Sequence, residues 1–204
     1  MSTLPVFYSP KYLYTAVTGD TTTKAAAVAA SLVAQSIPNV EVREPSRTIT
    51  VSEIALVHSP EYAKAIATGS NRALADSKGL CDWTPDFASS RLWATGGVRG
   101  AVLEALRTRG NACSMSSGLH HARFDHGTGY CTINGLAIGA RLALQEGAKR
   151  VLIVDLDAHG GGGTASLIAG IPGIEQIDVS VSSYDHYVGT PQCNYTLVSS
   201  ASDY

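Results

Sequence analysis

The sequence predicts an α/β fold: an open, mostly parallel sheet with helices on both faces. Three observations predict it. The apolar run Val151-Leu152-Ile153-Val154 has the length and β-branched content of a buried parallel strand. Short apolar stretches alternate along the chain with segments of helical periodicity, as repeated strand–helix–strand units require. Polar residues gather just after two of the strands, at the rim where open α/β sheets bind ligands. A length of 204 residues suffices for one such domain with a real core, and the expectation is a single domain over 1–204.

The elements follow in order. Val6-Phe7-Tyr8 reads as a first short strand, and Lys24 to Ser36 as a helix with Ala and Leu on one face, closed by Pro38. Val40-Glu41-Val42 reads as a strand and Ser52-Glu53-Ile54 as a helical turn. Pro60-Glu61-Tyr62 opens a helix with proline in its first turn. Asn71 to Asp86 lacks periodicity and is expected to be a long loop. A helix from about Ser89 to Arg107 is expected to end at a left-handed cap near Gly110. Ala112 to Ser116 is a strand, Asn134 to Glu146 a helix stopped by Gly147, and Arg150 to Asp155 a strand. A helix over Thr164 to Ala169 and a strand over Ile177 to Val181 complete the alternation.

Composition excludes several classes. The net charge of -2, with scattered Lys and Arg, offers no field for nucleic acid or an acidic membrane. No run approaches the roughly 18 apolar residues of a membrane span. The first residues, Met1-Ser2-Thr3-Leu4-Pro5, lack the pattern of a signal peptide. Cys81, Cys113, Cys131 and Cys193 lie far apart, without a C-x-x-C pair. Neither a zinc knuckle nor a disulfide framework is expected, and a reducing cytoplasm is the default location.

The chemistry concentrates at Asp155-Leu156-Asp157-Ala158-His159. Side chains alternate along a strand, so Asp155, Asp157 and His159 share one side. Two carboxylates and an imidazole facing one way need a compensating cation or hydrogen bonds. The mixed donor set suits zinc, with ferrous iron as the alternative, better than magnesium or calcium. His120-His121 follows the preceding strand and falls on the same rim. Two plainer readings stand beside this one: a pair of solvated loop histidines, and acids that cap turns. Gly160 to Ala165 also fits a dinucleotide-binding G-x-G-x-x-A before a helix, although Asp155 and Asp157 would repel a pyrophosphate there.

Several blocks, in their order and spacing, resemble the histone deacetylase family, which includes the acetylpolyamine amidohydrolases of the arginase/deacetylase fold. They are Gly118-Leu119-His120-His121-Ala122, Gly129-Tyr130-Cys131, Asn134-Gly135-Leu136-Ala137 and Val151 to His159. Weaker similarities are Tyr8-Ser9-Pro10, Val57 to Tyr62, Gly96-Gly97-Val98 and a helix start at Asp203-Tyr204. The resemblance implies metal-dependent hydrolysis of an acetylated amine, acetyl-lysine or acetylpolyamine, to acetate and free amine. By the same resemblance Asp157 and His159 are metal ligands, His120 and His121 are the tandem active-site histidines, and Asp155 orients the first of them. His121 would take the water's proton and return it to the leaving amine. Gly129 and Tyr130 match a tunnel wall that grips the substrate's aliphatic stem, and Tyr187 an aromatic on the opposite wall. Asp155 with Ser180 resembles a monovalent-cation site, which implies potassium.

The chain departs from that pattern in ways that carry expectations. The family's third metal ligand and its oxyanion-donating tyrosine come from later segments, and the sequence stops at Tyr204. The expectation is therefore an incomplete domain, either inactive as it stands or a non-catalytic chain that binds an acyl-lysine-like ligand or a partner. An incomplete sheet would expose an edge and favour a homo-oligomer. Asp185, His186 and Asp203 are the late candidates for the missing ligand. Gly162 stands where many relatives carry an Asp or Asn that orients the second histidine, so His121 is expected to lack that partner.

Overall fold

The computed structural model describes residues 3–16, 22–79, 81–200 and 203. The chain opens with strand β1 (Leu4–Phe7), helix α1 (Thr22–Ala34) and strand β2 (Val40–Arg43). Three short helices follow: α2 (Val51–Ile54), α3 (Pro60–Thr68) and α4 (Arg72–Ala75). Each starts on a side-chain cap, from Thr50, Ser59 and Asn71 respectively. In α2 the Thr50–Glu53 pair closes a full capping box. Glu53 also holds Arg47 at 2.7 Å and Arg99 at 2.8 Å. Helix α4 falls inside the stretch expected to be an irregular loop; a single Asn71-capped turn is too short to show a period.

Helix α5 (Pro85–Thr108) starts earlier than expected because Thr84 caps it and Pro85 takes its first turn. It ends with Arg109, not Gly110, in the left-handed region at φ 52°. Arg109 N donates to Leu106 O, and Gly110 N to Ala105 O at 3.2 Å. This closing pattern places the left-handed residue one position before the glycine. Strand β3 (Cys113–Ser114), helix α6 (Gly135–Gln145), strand β4 (Val151–Asp155) and helix α7 (Gly162–Ile168) come next. Strands β5 (Ile174–Ser180) and β6 (Cys193–Leu197) follow. The last was not expected, although Cys193, Tyr195 and Leu197 alternate with polar Asn194 and Thr196; five residues after a stretch rich in Gly, Thr, Pro and Gln are a short signal. Of the expected helix start, Asp203 is described and Tyr204 lies outside the described residues.

All strand pairing is parallel, in two three-stranded sheets of order β2-β1-β3 and β4-β5-β6. Helix α5 packs on β1, on β3 and on α6, while α6 packs on β4 and α7 on β5. The main core lies between the α2, α3, α6 and α7 helices and the inner face of β4 and β5. It contains Ile54, Tyr62, Ile66, Ile133, Ile138, Ile153, Ile168 and Ile174. The strand read as buried on both faces is buried on one. Ile153 and Asp155 point inward, while Leu152, Val154 and Leu156 are more than half exposed on the other face. Ile177 and Val181 of the neighbouring segment share that open face.

Candidate active site

The site forms where β4 ends and where the chain turns from β3 toward α6. Asn134, the N-cap of α6, is the fastener. Its Oδ1 accepts from Ala137 N at 3.0 Å. Its Nδ2 donates to the carbonyls of His120 at 3.1 Å and Ala122 at 3.3 Å. Thr164, near the start of α7, donates its backbone N–H to His120 O at 2.9 Å. Beneath these, fully buried His58 bridges Arg123 O (2.6 Å from Nδ1) and Asn134 N (3.0 Å from Nε2). The backbone of the histidine pair is thus held from three elements before any side-chain chemistry begins.

His120 and His121 stack with ring centroids 3.9 Å apart. His120 Nδ1 meets Asp155 Oδ2 at 2.9 Å, and its Nε2 lies 3.7 Å from Asp157 Oδ1. Burial alone would push the His120 pKa down; the Asp155 hydrogen bond and the charges of Asp155, Asp157 and Asp185 outweigh it and hold it above the ordinary histidine value. Asp155 is buried and Asp157 is half-exposed. Burial works to raise the Asp157 carboxyl, but the His159 N–H and the nearby His120 and His159 keep it below its usual range. The His121 and His159 rings lie 5.8 Å apart. The structure therefore gathers the five expected residues, His120, His121, Asp155, Asp157 and His159, at one rim.

Asp157 and His159 are the pair expected to hold a metal. Asp157 Oδ1 and His159 Nδ1 meet at 3.1 Å as a hydrogen bond. That is close to the ~3.3 Å edge of a tetrahedron with zinc–ligand bonds of about 2.0–2.1 Å. A catalytic zinc takes three protein ligands. Among the described residues no cluster of three or more His, Cys, Asp or Glu side chains could hold a metal. The late candidates are engaged elsewhere. Asp185 faces His121, His186 meets Ser183 O at 3.0 Å, and Asp203 accepts from Ser200 at 2.7 Å.

Other expectations are corrected or redistributed. His121 does have a carboxylate partner: its Nδ1 meets Asp185 Oδ2 at 2.8 Å. Sequence reading missed this because Asp185 is 64 residues away. The one available signal was the absence of a side chain at Gly162, whose Cβ would come 2.7 Å from Asp185 Oδ1. Gly129, at φ 54°, lies against the His121 ring, and Tyr130 beside it is 68% exposed. Tyr187 packs on Tyr195 at 5.1 Å, bonds Gln176 and Asn194, and lines a cavity of about 510 Å³ with Arg123, Gly162, Ala165 and Val188. The aromatic that meets the site is Tyr184, edge-on to His121 at 5.0 Å and to His159 at 5.6 Å.

At the donors expected to hold potassium, Ser180 Oγ donates toward Ser182 O and Tyr195 Oη and keeps its lone pairs, and each Asp155 carboxylate oxygen accepts one hydrogen bond. The buried oxygens left without partners nearby are Gln176 Oε1 and Asp178 Oδ1. Burial, with the Asp155 charge, raises the Asp178 carboxyl. The glycine run does not cradle a phosphate either. Its N–H groups are taken by Tyr184 O, Asp178 Oδ2, Asp185 O and Asp185 Oδ2 in turn.

Residues 20–196 match the histone deacetylase domain. The chain belongs to the histone deacetylase family. A family relative, an uncharacterized protein of Picosynechococcus, is 38% identical over 120 residues, covering 58% of this chain and 40% of its own. The acetoin utilization protein AcuC of Staphylococcus aureus is 35% identical over 127 residues, 58% of this chain and 33% of that protein. Among solved structures, the HD domain of HDA15 shares the fold with a TM-score of 0.79 at 23% identity, over 96% of this chain and 62% of that one. This histone deacetylase family chain therefore spans 33–40% of the curated relatives it matches. None of its described helices is long and apolar enough to cross a membrane.

Proposed function

We propose that this chain carries the histidine pair and two metal ligands of a hydrolase that cleaves an acetylated amine, acetyl-lysine or acetylpolyamine, to acetate and free amine. The observation that carries the reading is the convergence of His120, with its Nε2 3.7 Å from Asp157 Oδ1, and His121 on the rim that presents Asp157 and His159. Asp157 and His159 would hold zinc, or ferrous iron in its place. When bound, the metal polarises the amide carbonyl and lowers the pKa of a water.

The remaining work falls to side chains of this chain. His121 directs Nδ1 at Asp185, which leaves Nε2 as the nitrogen that accepts the water's proton and returns it to the departing amine. His120, held at Nδ1 by Asp155, turns Nε2 to the same rim, where an N–H would donate to the developing oxyanion. Gly129 lets the His121 ring lie directly against the backbone, and the substrate's aliphatic stem would run between Tyr130 and Tyr184 as apolar walls.

Zinc uptake and acetate release from an acetyl-lysine peptide test this together. The expected result is zinc bound by the unaltered chain, lost in Asp157→Ala and His159→Ala, with acetate release that follows zinc occupancy. Zinc bound equally well by both variants would sink the metal assignment. The two-donor metal site favours one competing reading, a non-catalytic chain of the same family. Weak or absent zinc binding together with no acetate release would select it.

A further inference from the structure

We propose that Asp185, on the loop between β5 and β6, is the positioning residue for His121, and that the bare backbone at Gly162 is the space its carboxylate occupies. The inference rests on reading His121 as the proton acceptor.

Asp185 is built for one task. Its side chain is 7% exposed. Its backbone sits at φ 56°, a region that non-glycine residues rarely adopt, so the surrounding structure must hold it there. Oδ2 accepts from His121 Nδ1 at 2.8 Å and from Gly163 N at 3.1 Å. Oδ1 accepts from the Arg123 guanidinium. Arg123 in turn donates to Gly162 O at 2.8 Å, and Gly162 N donates to Asp185 O at 3.2 Å. The carboxylate is thus anchored to both sides of one glycine.

Position 162 and Asp185 compete for the same volume. A Cβ on Gly162 would lie 2.5 Å from Asp185 O and 2.7 Å from its Oδ1. Any side chain there displaces Asp185, and only a glycine admits it. The two positions therefore act as one unit: a carboxylate reaches His121 from the distant loop because none projects from the start of α7.

The orientation has a definite chemical consequence. An acceptor at Oδ2 fixes the His121 proton on Nδ1 and leaves the Nε2 lone pair free. An amide at 185 cannot do this. Arg123 claims its single oxygen, so its NH2 turns toward His121 and forces the ring proton to Nε2.

The test reads the tautomer by long-range ¹H–¹⁵N correlation on histidine-labelled chain, with the His121 signal assigned by its loss in His121→Gln. No metal and no turnover are needed. The unaltered chain should show Nδ1–H at His121. Asp185→Asn should move the proton to Nε2, and Gly162→Ala should do the same with Asp185 still present. Asp185→Gly, in which glycine suits the left-handed backbone at 185 and Gly162 is kept, removes the acceptor without adding a donor and should lose Nδ1–H as well. An Nε2–H tautomer in the unaltered chain overturns the proposal. So does an Nδ1–H signal that persists in folded Asp185→Asn and Gly162→Ala. Should those variants not fold, the unaltered chain and Asp185→Gly decide alone. A correct tautomer response without acetate release would defeat the hydrolase reading and leave the positioning role intact; acetate release with an unmoved tautomer would do the reverse.

Discussion

Acid should loosen this site through one buried imidazole that takes no part in the chemistry. His58 donates from Nδ1 to Arg123 O and accepts at Nε2 from Asn134 N. Protonation would set an N–H against the Asn134 N–H, in a place where the residue is 1% exposed. Burial, only partly offset by the backbone carbonyls, lowers the pKa to about 4. A histidine whose folded pKa is depressed stays neutral in the native state while the unfolded chain charges. Its contribution to stability is complete above the unfolded value of about 6.5 and falls as pH drops toward the folded one. Between about pH 7 and about pH 4 the loss integrates to ~3 kcal/mol. Urea unfolding followed by circular dichroism across that range should show this slope in the unaltered chain. In His58→Gln, which cannot take up a proton, the slope should be flatter by the same ~3 kcal/mol, even if the variant is less stable throughout. Parallel pH profiles for the two chains would refute the reasoning.

Two further outcomes are expected. Glu53, clasped by Arg47, Arg99 and the Thr50 cap, has a carboxyl that resists burial's upward pull and lies at about 2, against 4.5 unperturbed. Its stabilisation is present above about pH 4.5 and is lost toward about pH 2, so Glu53→Gln should flatten the unfolding profile only in that lower window, by about 2–3 kcal/mol. Asn134→Ala should cost ~2–4 kcal/mol in denaturant unfolding, because a helix cap and two carbonyl contacts vanish together. Asn134→Asp keeps the cap but not the donors, and should cost at least as much near neutral pH; a silent Asp variant would show that the carbonyl clamp contributes nothing.

Local features of the fold were legible because each rests on contiguous residues. Ser59-Pro60 and Thr50 to Glu53 announce helix starts by caps a few residues wide. The members of the rim cluster were legible from their spacing, but β4 ends at Asp155, and Asp157 and His159 are gathered by the turn that follows, where Asp157 N donates to Asp155 and His159 N to Asp157. Pairings across long separations were not. Asp185 reaches His121 over 64 residues, and Tyr184 takes the aromatic place expected of Tyr187. No local period encodes which residue of Tyr184-Asp185-His186-Tyr187 turns inward, because a positive φ at Asp185 breaks the alternation there. Strand β6 does alternate, with Cys193, Tyr195 and Leu197 against Asn194 and Thr196, but five residues carry too short a period to stand out from the Gly-Thr-Pro-Gln stretch before them.

The glycine run Gly160–Gly163 has a genetic consequence. A Cβ at Gly160 would come 2.9 Å from Asp185 O, one at Gly161 would overlap Asp155, and one at Gly163 would overlap the carbonyls of His120 and His121. Nearly every missense change in these codons installs a side chain where the architecture has reserved clearance. In a saturation library scored for soluble expression, these four positions should tolerate substitution as poorly as the histidines they surround, though none of them bears a reactive group.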